Sequence, residues 1–267
     1  MRHNHVRDNT TDALHNSESP RVSRGPNHVC ARARVRRDTD TMPNRSAYKH
    51  VPEAQSTEAF YLDILEGFAA YADSDVLRNL AAAVQRYPAP DLAHALNKNQ
   101  MASKLWLCDR LANCLGRRLG RVCVLAGWKG VLPAMLAADP RLTPAEVISV
   151  DIDPECAEVA GFLARRWGDR VRVVTADMLE LDYAALSADL LINTSCEHLA
   201  DFADWYARIP HGTLVALQSN DMTGVDVHLN CVADLDAFRA QAPLAHELYA
   251  GTLPRKRYTR FMLIGRK

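Results

Sequence analysis

Along the chain the hydrophobic positions change their period twice, and each change marks a change of architecture. Residues 1–46 carry almost no large apolar side chains, and Arg, His, Asn, Ser and Thr dominate. Such a stretch buries too little surface to offset its ordering entropy, so a disordered leader is expected. From 56 to 117 apolar residues recur at spacings of three and four. STEAFYLDILEGFAAYA, DSDVLRNLAAAVQRY and PDLAHALNKNQMASKLWLCDRLANCLG read as helices, broken at Pro88 and Pro90 and closed at Gly116. They predict a helical cap over 47–117, of a size to cover a site but small for an independent enzyme. Phe60, Tyr61, Phe68 and Trp106 read there as packing residues.

From 121 the period shifts to short apolar runs alternating with amphipathic ones. Strands are expected near 121–126, 147–152, 170–174, 188–193 and 212–218, with helices near 130–138, 154–167, 199–207 and 233–241. Apolar strands between amphipathic helices predict an α/β fold, a doubly wound and mostly parallel sheet covered on both faces, over 118–267. HELYAGTL and RYTRFMLIG, joined by a Pro-Arg-Lys turn, predict a terminal hairpin that adds an antiparallel strand.

Composition narrows the function. Thirty-two basic and 32 acidic side chains give a net charge of zero in 267 residues, so no global field attracts nucleic acid. The seven cysteines are odd in number, scattered and without CxxC spacing, which argues for a reducing, cytoplasmic setting and against a disulfide scaffold or a metal site. No run reaches the length of a membrane span, and the N-terminus lacks the apolar core of a secretory signal. A basic nucleic-acid arm or transit peptide is opposed by five acidic residues among the first 46. The other reading of this leader is that Met42 is the natural start.

The strand ends carry the chemistry. RVCVLAGWKGVLPAML is a strand, a glycine turn and a helix; VISVDIDPE ends in acids; VVTADMLE ends in an Asp; ADLLINTSCEHL ends in a polar cluster. A glycine turn lets backbone N–H groups meet an anion at a helix N-terminus. An ionised carboxylate can accept two hydrogen bonds from a cis-diol, and the pleat puts Asp151 and Asp153 on the same face for that task. Asp153 can equally cap the next helix.

The ordered set resembles the class I S-adenosylmethionine (SAM)-dependent methyltransferase family over about 121–264. The resemblance implies a seven-stranded sheet with a reversed last strand and SAM as cofactor. Gly127, Trp128 and Gly130 then approach the methionine part of SAM. Asp151 binds the ribose, Asp177 reaches the adenine amine, and Ile152 and Met178 sandwich the ring, with Asn193 at the next strand end. The turn departs from the family's GxGxG, since Ala126 and Trp128 stand where glycines are expected. Trp128 must turn aside or form a wall. Lys129, read as an exposed loop residue, together with Gln100 and Lys104, offers partners for the cofactor's amino-acid end.

NTSCEH at 193–198, QSND at 218–221 and HLNC at 228–231 crowd the mouth where open α/β sheets bind ligands. Thr194 or Ser195 can cap a helix beginning near Glu197, and Asn220 or Asp221 can close a turn, which leaves Glu197 and His198 unexplained. Either suits a general base or a hold on the acceptor. Cys196 fits inert packing better than covalent catalysis. The leading expectation is a SAM-dependent methyltransferase for a small polar molecule, without membrane or nucleic-acid partners and with a homodimer allowed. Aminocarboxypropyl transfer of the nicotianamine synthase kind, and an inactive methyltransferase-like scaffold, are the alternatives. A dinucleotide oxidoreductase is disfavoured because GxGxxG is absent.

Overall fold

The computed structural model describes residues 57–87, 90–116 and 118–267, which fall in one compact unit. The expectations for the leader, for Met42 and for the start of the cap lie outside these residues. Four helices come first: α1 (Thr57–Tyr71), α2 (Asp75–Arg86), α3 (Pro90–Ala95) and α4 (Lys98–Leu115). The start of α4 is set by Asn97, whose side chain accepts from the N–H groups of Asn99 and Gln100, and its end by Gly116 at φ 73°. Phe60, Tyr61 and Phe68 are exposed, not packed as their spacing suggested.

Seven strands follow: β1 (Arg118–Leu125), β2 (Thr143–Asp151), β3 (Val171–Thr175), β4 (Leu190–Asn193), β5 (Leu214–Asn220), β6 (His246–Pro254) and β7 (Thr259–Arg266). Their order is β3-β2-β1-β4-β5-β7-β6. The first five pair in parallel, and β7 runs antiparallel to both β5 and β6. Parallel crossovers bring α5 (Val131–Ala138), α6 (Pro154–Ala164) and α8 (Phe202–Arg208) onto the sheet, with the short α7 (Tyr183–Leu186) before β4 and α9 (Leu235–Gln241) before the hairpin.

Alternation along β1 divides the core. Val122 and Val124 pack under Leu107, Leu111 and Leu132, while Cys123 and Leu125 face Phe202 and Trp205. The helical layer therefore shares one core with the sheet. Two boundaries differ from the periodicity. α6 stops at Ala164 and a 3₁₀ turn follows, with Gly168 at φ 52°. The helix expected from 199 starts at Phe202, because Cys196–His198 forms its own 3₁₀ turn. No described helix is long and apolar enough to cross a membrane.

Candidate active site

The strand order reverses between β1 and β4, and there the carboxyl ends of neighbouring strands diverge to leave a crevice. A cavity of about 720 Å³ occupies it, lined by the β1 turn, Asp151, Thr194, Ser195 and residues of the helical layer. That size suits a nucleotide-like ligand.

The β1 turn is tightly built. Ala126 and Trp128 both take φ 48° and Gly130 φ 76°. Left-handed non-glycine residues cost about 1–3 kcal/mol each and persist where surrounding contacts hold them. Here Gly127 N–H donates to the Val150 carbonyl (2.9 Å), Gly130 N–H to the Gly127 carbonyl (3.0 Å) and Trp128 N–H to Asp151 Oδ2 (2.7 Å). A Cβ on Gly127 would stand 2.2 Å from Ser149 Oγ, and one on Gly130 2.7 Å from Ala160 Cα. Gly130 thus allows the turn to approach the α6 backbone, and Gly127 leaves room for the Ser149 side chain. The Trp128 side chain packs against the core and forms a wall of the cavity. Lys129 is 7% exposed and also lines it, contrary to the solvated lysine expected.

Asp151 ends β2 at the cavity. Its Oδ1 accepts from Asp153 N–H at 3.0 Å, so each carboxylate oxygen is held by one backbone donor and keeps capacity for another. Asp153 instead caps α6, accepting from Glu155 N–H at 2.8 Å, and its carboxyl is held below the usual range mainly by that bond. Gln100 and Lys104 stand on the opposite wall, 2.7 Å apart through Lys104 Nζ and Gln100 Oε1. Burial, followed by the Arg260 charge, lowers the Lys104 pKa to about 8.

Four other residues expected to contact the cofactor lie outside that lining, as does Glu197, which lines a neighbouring cavity. Ile152 is 65% exposed, on the solvent side of the β2 end. Asp177 Oδ1 accepts from Leu179 N–H at 2.8 Å, and Met178 packs against the core. Asn193 is fully buried, and its Oδ1 accepts from Ser195 N–H at 2.8 Å, so it serves the turn itself. Ser195 makes no side-chain cap, which corrects the capping role offered to it.

Glu197 is 3% exposed and sits in a network that spacing along the chain did not disclose. Its Oε1 accepts from Asn220 Nδ2 (2.7 Å) and pairs with Arg260 Nη1 (3.1 Å), while Oε2 has no hydrogen-bond partner among the described residues. Arg260, itself buried, also donates to Gln218 Oε1 (3.1 Å) and to the Thr194 carbonyl. Gln218 in turn accepts from Ser103 Oγ at 2.6 Å, which ties α4 to β5. The visible signal for Arg260 was a cation set directly against the apolar stretch FMLIG, since an Arg carried into the core with it needs a carboxylate.

His198 stands at the surface of this network, Nε2 4.0 Å from Glu197 Oε1. Its Nδ1 lies 2.8 Å from the Val227 carbonyl, and Nδ1 of His228 lies 2.8 Å from the Met222 carbonyl. A carbonyl only accepts, so each Nδ1 carries a proton, and in the neutral ring each Nε2 offers its lone pair. The two rings meet edge to face at 4.8 Å. Cys196 is buried, and desolvation drives its thiol pKa well above the ordinary value, which makes it inert.

No protein-family model matches the chain, and no curated protein sequence matches it. Solved structures do. The N-methyltransferase NodS from Bradyrhizobium japonicum WM9, in complex with S-adenosyl-L-homocysteine (SAH), superposes with a TM-score of 0.51 and 13% identity, covering 70% of this chain and 98% of NodS. A second NodS structure gives 0.50 and 14%, covering 65% and 98%. The [4+2]-cyclase SpnF gives 0.46 and 13%, covering 63% and 82%.

Proposed function

We propose that this chain, whose fold is that of the class I SAM-dependent methyltransferases, binds SAM in the larger cavity and methylates a small polar molecule. The observation that carries the reading is the coupling of the β1 turn to Asp151. One carboxylate holds the strained turn by accepting from Trp128 N–H and still offers acceptor capacity to a diol. The residues fit the cofactor. Gly127 and Gly130 bring the backbone close, Asp151 takes the ribose hydroxyls, and Lys104 supplies a cation for the carboxylate end. When bound, SAM supplies a methyl group activated by its sulfonium.

The chain's own residues do the rest. Trp128 and Val131 help wall the cavity, limiting water. His198 would accept the acceptor's proton at Nε2 as the acceptor takes up the methyl group. Glu197, 4.0 Å away, faces the imidazolium so formed. The test is incubation of the purified chain with labelled SAM and a panel of small amines, alcohols and acids. Label in the acceptor with SAH as by-product supports methyl transfer. Methylthioadenosine would indicate aminocarboxypropyl transfer, and cofactor binding without turnover a scaffold.

A further inference from the structure

Beside the larger cavity lies a second of about 430 Å³, and Asn97, Gln100, His198 and His228 line both. The two imidazoles therefore stand in the partition, with an Nε2 lone pair on each. Charge is uneven in this second space. Lys98 from the start of α4, Lys256 and Arg257 from the hairpin turn and the buried Arg260 line it, against one carboxylate, Glu197. Arg260 and Glu197 neutralise each other at 3.1 Å. Lys98, Lys256 and Arg257 are exposed and make no ion pair among the described residues, so the cavity keeps an uncompensated positive field.

Glu197, His198 and His228 place ligand atoms within 4.8 Å of one another, a spacing that suits a divalent cation. The electrostatics oppose one. The trio's single carboxylate is already paired with Arg260, and three further cations would repel a dication across a confined space. The same field attracts an anion.

We infer that the second cavity is the acceptor site and takes a small molecule with an anionic group, phosphate or carboxylate, at Lys98, Lys256 and Arg257, and its nucleophilic nitrogen or oxygen at His198 and His228. The inference rests on the reading of the larger cavity as the cofactor site. The anionic end anchors the molecule away from the partition, and the nucleophile then lies where the two cavities meet. The α4 N-terminus contributes its dipole but not its first donors, because Asn97 already accepts from the N–H groups of Asn99 and Gln100. An N–H or O–H nucleophile donates to an imidazole Nε2, the arrangement that proton removal requires.

The experiment titrates the SAH-saturated full chain with inorganic phosphate and, separately, with acetate, at fixed pH and ionic strength. The readout is the imidazole resonances of His198 and His228 in long-range ¹H–¹⁵N spectra. At least one anion should shift both rings saturably, and a Lys256→Glu, Arg257→Glu double variant should need tenfold more of it or fail to respond, with SAH affinity unchanged. A response to phosphate alone identifies a phosphorylated acceptor, and one to acetate alone a carboxylated acceptor. Rings that do not respond while SAH is bound, or that respond equally in the double variant, overturn the inference and leave the cofactor reading intact. Failure of SAH to bind overturns both.

Discussion

Substituting Met for Lys104 removes a charge that the fold holds out of water. Lys104 lies buried on α4, and burial first, then the Arg260 charge, lowers its pKa from 10.5 to about 8. Between these values the unfolded chain binds more protons than the native one, so this group makes stability rise with pH. Below pH 8 the native state carries the full penalty of the buried ammonium. A gap of this size amounts to roughly 3 kcal/mol at neutral pH, of which about 2 kcal/mol is relieved by about pH 9.5. Met fills a similar volume without the charge but leaves Gln100 Oε1 without its donor, which returns about 1 kcal/mol. Lys104→Met should therefore be more stable than the parent at pH 7 by about 1–3 kcal/mol. Cys108 and Cys123, pushed up to about 12 by burial, act in the opposite sense, since the native state keeps protons that the unfolded chain loses. They are common to both proteins, so the difference isolates Lys104. Urea unfolding under reducing conditions at both pH values measures it. A variant less stable at pH 7, or a difference that does not change with pH, would refute a desolvated Lys104.

Gly130→Ala should cost about 1–3 kcal/mol in the same assay, because the new Cβ would stand 2.7 Å from Ala160 Cα at a left-handed φ. Glu197→Ala strands the buried Arg260 charge and should cost roughly 3–5 kcal/mol, read as a lowered melting temperature. His198→Ala removes a half-exposed ring and should leave the melting temperature close to the parent's. Its SAH affinity should also hold, while single-turnover transfer slows ~100-fold or more; an unchanged rate would remove the general base from the account.

The parallel core was legible because short continuous apolar runs and amphipathic runs of period 3.6 alternate from β1 to β5, and the hairpin because RYTRFMLIG is apolar apart from its charged start. Boundaries failed where tertiary contacts decide them. Cys196–His198 leaves the helical path as Glu197 meets Arg260, a partner 63 residues away that no local spacing announces. Lys129 looked solvated because its burial depends on how the left-handed turn folds against α6. The α1 aromatics had helical spacing, which identifies a shared face but not whether a neighbour covers it. At the site, the pleat put Asp151 and Asp153 on one face and only the family resemblance favoured Asp151; the structure adds that Asp153 caps α6 and that Asp151 lines the cavity.

Calorimetric titration of SAH into the full chain and into Asp151→Asn tests the cofactor site most directly. The substitution keeps an acceptor for one backbone N–H and removes the ionised pair of oxygens. The parent should bind SAH and ignore NAD, and the variant should bind at least about tenfold more weakly, as the loss of charge-assisted bonds to a diol implies. Binding of NAD in place of SAH, or equal SAH affinity in parent and variant, would contradict the account.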